Sequence, residues 1–172
     1  MSTNLLLVSP YNVNFYGGVQ NQVNLFKNEL DSTNFNVRIA APESSDYDIG
    51  KSFRIPFNGS SNPINLIPNK EILEEAISWA DIVHIHEPFI PLFFWRLKTS
   101  KRTIVTHHAK VSKFIYFGLK FLYLSLRNKS FYSTSVSAEA KANALTLSKK
   151  TKVIPNFIVI NKNISYIPNN NY

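Results

Sequence analysis

The chain has 172 residues, of which 44% are hydrophobic, no cysteine and a formal net charge of +8. That length and apolar fraction give one globular domain with a substantial core, and the missing cysteines exclude a disulfide framework and a cysteine-based zinc site. The positive charge asks for an anionic partner: nucleic acid, anionic lipid or a phosphorylated substrate.

Asn4–Val8 reads as a buried first strand, followed by a loop carrying Gly17 and Gly18 and by a helix over Gly18–Leu30. Phe35–Ala40 is a second strand, ended by Pro42, and Glu43–Gly50 is polar and loop-like. Ser52–Ile55 reads as a short third strand stopped by Pro56, and Asn58–Pro63 as a loop. Pro68 opens a helix through Ala80, with Ile72, Leu73, Ala76, Ile77 and Trp79 at helical spacing. Ile82–His86 is the fourth strand, followed by a short helix over about Ile90–Leu97. Thr103–Thr106 is the fifth strand, Lys110–Arg127 a long helix and Phe131–Val136 the sixth strand. Ser137 caps a helix to about Leu147, and Lys152–Ile154 is the seventh strand, ended by Pro155.

Short apolar strands alternating with helices imply βαβ units. The expected fold class is α/β: a three-layer, Rossmann-like, doubly wound and mainly parallel sheet of about seven strands. In such sheets ligands sit beyond the carboxyl ends of the strands, where strand order reverses. Tyr11, Gly17, Gly18 and Gln20 follow the first strand, His84, His86 and Glu87 close the fourth, and His107 and His108 follow the fifth. All four histidines of the chain thus fall at two strand ends.

A strand, a loop with paired glycines and a helix start suit a phosphate. Without a Cβ the backbone can approach an anion closely and take unusual dihedrals, and the first helical turn offers unpaired N–H groups. The same glycines also fit an ordinary tight turn. Neither a G-x-G-x-x-G dinucleotide fingerprint nor a P-loop is present. His84, His86, His107, His108 and Glu87 are also of the residue types that hold a metal ion.

The start, Met1–Asn4, has no basic region, and the apolar run after it is too short for a signal core. No stretch reaches the roughly 18 apolar residues of a membrane span, so the expected location is cytoplasmic. Peripheral contact with a membrane is a further expectation. Phe89, Phe93, Phe94 and Trp95 run into Arg96, Lys98, Lys101 and Arg102 in the manner of an interfacial anchor. The helix from Lys110 is apolar nearly all round, which suits plain burial and contact with lipid or another chain alike. Neither basic stretch matches a zinc finger, a homeodomain or an RNA-binding aromatic motif, and no nucleic-acid partner is expected.

Five motifs then occur in order: Pro10-Tyr11 with Gly17-Gly18-Val19-Gln20, His84-Ile85-His86-Glu87-Pro88, Thr106-His107-His108, Ser135-Val136-Ser137 and Ile154-Pro155-Asn156. Together they resemble the N-terminal, acceptor-side domain of GT-B glycosyltransferases of family 4, most of all the phosphatidylinositol mannosyltransferase-like branch. The resemblance implies one half of a GT-B fold over residues 1–157, with 158–172 a polar tail or the start of a second domain. It implies retaining transfer of a sugar from a nucleotide sugar to a lipid-linked or glycan acceptor. It places Gly17 and Gly18 on the donor diphosphate, Tyr11 and Gln20 toward the acceptor, and His108 against the transferred sugar as the catalytic candidate. His86, Glu87 and His107 shape the site, and neither a cofactor nor a metal is implied.

The resemblance also implies a donor-binding domain, from a further segment, a second chain or an oligomer. Phe157 stands where the family's Pro-Asn-Gly turn has glycine, Lys110 where a small hydroxyl residue is common and His107 where an aromatic is common. The rival expectation is a non-catalytic module that keeps the fold for binding or membrane docking.

Overall fold

The apolar runs of the chain pair into one parallel sheet. The computed structural model describes residues 2–31, 33–44, 46–54, 63–88, 99–110, 131–144 and 150–158. In chain order these give β1 (Thr3–Val8), α1 (Gly18–Asp31), β2 (Phe35–Ala41), β3 (Tyr47–Asp48), β4 (Phe53–Arg54) and β5 (Pro63–Ile64). Then follow α2 (Lys70–Trp79), β6 (Ile82–His86), β7 (Arg102–His107), β8 (Tyr132–Ser135), α3 (Ala138–Ala144) and β9 (Thr151–Val153).

Seven strands form the main sheet in the order β3-β2-β1-β6-β7-β8-β9, and every pairing in it is parallel. The chain starts at β1, moves outward through β2 to β3, then crosses back to lay β6 on the other side of β1. Strand order therefore reverses between β1 and β6, where Val8 pairs with Ile85. That crevice is where ligands enter sheets of this type.

Successive side chains of a strand point to opposite faces, and the two faces of β1 bury two clusters. Leu5 and Leu7 pack with Val37, Ile39 and α1 residues Val19, Val23, Phe26 and Leu30. Leu6 and Val8 pack with Val83, Ile85, Val105 and α2 residues Leu73, Ala76 and Ile77. The sheet thus has a helix layer on each face. Leu73 is fully buried, and truncating such a leucine to alanine costs about 2–5 kcal/mol.

Four sequence expectations change. The polar stretch 43–50 contains strand β3, which Ala40↔Tyr47 and Ala41↔Asp48 pairing adds to the sheet edge. The expected third strand does not join the sheet: Phe53–Arg54 pairs antiparallel with Pro63–Ile64 in a separate two-stranded unit. Pro63, expected in a loop, is therefore a strand residue. The second helix begins at Lys70 rather than Pro68, because Asn69 Oδ1 accepts the N–H groups of Glu71 and Ile72 at 3.0 and 3.3 Å. Such a cap is worth about 1 kcal/mol.

Ser137 does start α3, its Oγ accepting from the Ala140 N–H at 3.2 Å. The expected helices over 90–97 and 110–127, and most of the tail 158–172, lie outside the described residues.

Candidate functional site

The carboxyl ends of β1, β6 and β7 lie side by side, since β1 neighbours β6 and β6 neighbours β7. Ser9 turns the chain out of β1: its Oγ accepts the Tyr11 N–H at 3.1 Å and donates to Tyr11 O at 3.2 Å. Asn12 Oδ1 accepts the Asn14 N–H at 2.9 Å, and its Nδ2 donates to Glu43 Oε2 at 2.7 Å. The β4–β5 unit is stitched to this loop by the Tyr11↔Ile64 bridge and by Asn65 N–H donating to Pro10 O at 2.7 Å.

On the α1 face of the sheet three imidazoles form a row. The His84 and His86 ring centroids are 4.2 Å apart, and those of His86 and His108 are 5.2 Å apart. Phe26 meets His84 and His86 edge-on at 5.3 and 5.8 Å. His86 Nδ1 and His108 Nε2 share a hydrogen bond at 3.0 Å. His84 Nε2 lies 2.7 Å from Thr106 Oγ1, which lies 2.7 Å from Thr134 Oγ1. Thr134 donates to Val105 O at 3.3 Å, so Thr106 donates to Thr134 and the proton of His84 sits on Nε2.

Burial holds these rings neutral. It pushes His84 down to about 3 and His108 down to about 4 from the ordinary 6.5, with His108 adding to the effect on His84. His86 is pushed well below its ordinary value, by burial first and then by the flanking imidazoles.

On the α2 face, Glu87 and His107 are buried, and Tyr11 packs against the adjacent cluster. Glu87 Oε2 accepts the backbone N–H groups of His108 and Ala109 at 3.3 and 3.1 Å. Burial raises the Glu87 carboxyl to about 7, against the pull of those two N–H groups. Burial, and secondarily the charge of Glu87, raise the Tyr11 hydroxyl above its ordinary value. His107 is pushed down to about 3 by burial, with His108 contributing. The row of rings and the carboxyl thus lie on opposite faces but meet at one end of the sheet.

The glycine turn behaves differently from expectation. Among the described residues only Gly50 is a glycine with positive φ, so Gly17 and Gly18 take ordinary dihedrals. At Gly17 an added Cβ would meet the end of the flexible Gln20 side chain, which would have to shift. At Gly18 a Cβ would meet nothing within 4 Å, and the first turn of α1 carries no acidic residue. The start of α1 is therefore open to an anion. Gln20 is 1% exposed, and neither its Oε1 nor its Nε2 has a hydrogen-bond partner among the described residues.

A cavity of about 1540 Å³ runs along the α1 face, lined by Gln22, Phe26, His84, Thr106, His108 and Phe157 among others. Tyr11, Gly17, Gly18 and Gln20 do not line it. Gly18 stands one helical turn, about 6 Å, above Gln22. Gln22 and Thr134 line the cavity without having been singled out in the sequence, where Thr106 stood only as part of the motif Thr106-His107-His108. The signal for Gln22 was its place in the apolar stripe Val19, Val23, Phe26 and Leu30. Gln22 Nε2 donates to Phe157 O at 2.8 Å, and the Phe157 ring meets Phe26 edge-on at 5.1 Å. Phe157 thus fills the space beside Phe26 where the related turn has glycine.

Among the described residues no three histidine or carboxylate side chains converge to hold a metal ion. No helix among them is long and apolar enough to cross a membrane.

A family model described as Glycosyltransferase Family 4 matches residues 16–162. Over 121 residues the chain is 31% identical to a phosphatidyl-myo-inositol mannosyltransferase of Mycolicibacterium smegmatis, covering 62% of this chain and 31% of that protein. The chain thus spans less than a third of the length of that relative.

Proposed function

For this chain, which belongs to glycosyltransferase family 4, we propose the role of acceptor-side domain in retaining transfer of a sugar from a nucleotide sugar. The acceptor is a lipid-linked or glycan hydroxyl. In the step, the bond between the sugar C1 and the diphosphate oxygen breaks, and the acceptor hydroxyl gives its proton to the departing diphosphate as its oxygen bonds to C1 on the same face. The start of α1 at Gly18 meets the charge of the departing diphosphate. Gln20 and Tyr11 contact the acceptor, and His108 contacts the transferred sugar. His86 orients His108. A donor-binding domain completes the site, as the greater length of the mannosyltransferase relative suggests.

One observation carries this reading. Gln20 Oε1 and Nε2, His86 Nε2 and Glu87 Oε1 are buried without hydrogen-bond partners among the described residues, all at the end of the sheet where strand order reverses. Unmet buried polar atoms are costly and ask for a ligand or ordered water. Donors and acceptors together match a polyhydroxylated ligand better than a simple anion. The mannosyltransferase relative makes a mannose nucleotide the first donor to try.

A lipid-linked acceptor has support in exposed aromatic side chains. Phe15, Tyr16 and Phe53 face water, and the Arg54 guanidinium lies 5.9 Å from the Phe15 ring centre. Aromatic side chains beside cations suit a headgroup boundary.

The test is binding and transfer with a panel of nucleotide sugars, using the chain alone and combined with candidate donor-binding chains. Transfer that His108→Ala abolishes in a folded protein supports the reading. Absence of nucleotide-sugar binding and transfer in every combination overturns it in favour of a non-catalytic docking module.

A further inference from the structure

Glu87 is placed at some conformational expense. Its φ is +54°, in the left-handed region that residues with a side chain seldom occupy. Glu43, with a φ of +57°, is the other described non-glycine there, and it is exposed to water. Glu87 instead is 4% exposed, and its backbone N–H donates to Thr106 O at 2.9 Å. The left-handed turn aims a carboxyl back across β7. One oxygen, Oε2, then receives the N–H groups of His108 and Ala109. The other, Oε1, is buried and has no hydrogen-bond partner among the described residues. Strain of this kind persists where a site demands it. A purely structural brace would have both oxygens engaged.

We propose that Glu87 serves two ends: Oε2 fixes the turn that carries His108, and Oε1 accepts a hydrogen bond from a hydroxyl of the bound sugar or polyol. The hydroxyl contact rests on the sugar-transfer reading above; the turn does not. A hydroxyl donates to an ionised carboxylate more strongly than to a protonated one, so ligand and proton compete for Oε1. Burial sets that competition near neutral pH, with the carboxyl at about 7. The titratable groups around it are Tyr11 from the β1 loop, His86 at the end of β6, His107 at the end of β7 and His108 just after it. Tyr11 is raised and the three histidines are lowered, all away from neutrality. Of these groups Glu87 alone titrates near pH 7.

The experiment follows the backbone amides of the 172-residue chain by NMR, with free mannose and myo-inositol as probes. Glu87→Gln keeps an oxygen for the two N–H groups but presents an NH₂ where Oε1 was. The expected result is unchanged exchange protection of His108 and Ala109, about tenfold weaker probe binding, and loss of the rise in affinity through neutral pH. Glu87→Ala is expected to lose protection at both amides. The hydroxyl contact is overturned if Glu87→Gln binds either probe with wild-type affinity and pH profile. Unchanged exchange in Glu87→Ala overturns the turn. Wild-type chain that binds neither these probes nor any nucleotide sugar sinks the sugar-transfer reading and the hydroxyl contact with it, while the exchange data still decide the turn.

Discussion

His86 and His108, twenty-two positions apart in sequence, share one hydrogen bond of 3.0 Å between Nδ1 and Nε2. One nitrogen must donate and the other accept, so one of the two ring protons lies between the neutral rings. Either arrangement leaves His86 Nε2 buried without a hydrogen-bond partner among the described residues. The shared hydrogen bond fixes the His108 ring.

His86→Phe keeps the stacking but removes the hydrogen bond. The expected outcome is a stability loss of about 1–3 kcal/mol and a released His108 ring. In any reconstituted transfer assay the rate should fall at least about tenfold, the size of a lost orienting contact of this energy. NMR of the His108 ring and transfer kinetics check the two effects separately.

Stability should fall in acid. The four imidazoles have folded-state values below the unfolded 6.5, so the unfolded chain binds more protons. Their contribution is present above about 6.5 and lost as pH falls toward about 4 and then 3. Glu87 works the other way: raised from 4.5 to about 7, it stabilises fully below 4.5 and less as pH rises through 7. Four groups outweigh one, so the net loss is on the acid side. Glu87→Gln removes the opposing group and steepens that loss, by about 1.4 kcal/mol per pH unit at most. Urea midpoints measured across the acid limb in both proteins give the slopes.

Gln20→Leu separates stability from function. The buried amide with two unmet polar atoms gives way to an apolar side chain of similar size. The expected gain in folding stability is about 1–3 kcal/mol, accompanied by weaker acceptor binding. Chemical denaturation paired with acceptor titration checks it; a destabilised Gln20→Leu would mean that the amide is satisfied in solution.

The two glycines should respond differently. Gly17→Ala makes the end of the buried Gln20 side chain shift and should destabilise by at most about 1 kcal/mol, the low end of overpacking. Gly18→Ala meets open space and should leave the fold unchanged or gain up to about 1 kcal/mol in helix propensity. Diphosphate-dependent binding should nonetheless weaken in Gly18→Ala. Thermal melts and nucleotide-sugar titration distinguish the pair.

Vesicle sedimentation tests the lipid-linked acceptor. Phosphatidylglycerol-containing vesicles should pellet the chain, and phosphatidylcholine vesicles should do so less. The triple change Phe15→Ser, Tyr16→Ser and Phe53→Ser should weaken pelleting by about tenfold or more. Equal pelleting of wild type and variant would move the lipid contact to another face.

Much of the sheet was legible because its strands are short apolar runs: β6 was read at its observed limits and β1 within one residue. The count of seven came out right for a partly wrong reason. Tyr47–Asp48 replaced the expected strand near Phe53. Two residues in a polar stretch have no readable period, and β2 alone recruits them. Likewise Phe53–Arg54 has the look of any strand, and its partner, ten residues away at Pro63–Ile64, decides which sheet it enters. The glycine pair stood out in the sequence for its dihedral freedom, but both residues take ordinary dihedrals.

What the sequence determined by itself was the alternation of strand and helix, the family motifs and the gathering of histidines at two strand ends. Local periodicity and residue chemistry suffice for these. Tertiary structure alone decided that His84, His86 and His108 stack on the α1 face while Glu87 crosses to hold the His108 turn. A side chain's face follows from strand parity, but its partner follows from which strands lie adjacent and in what register. Those are long-range pairings, set by burial of the whole sheet, that no local stretch of chain contains.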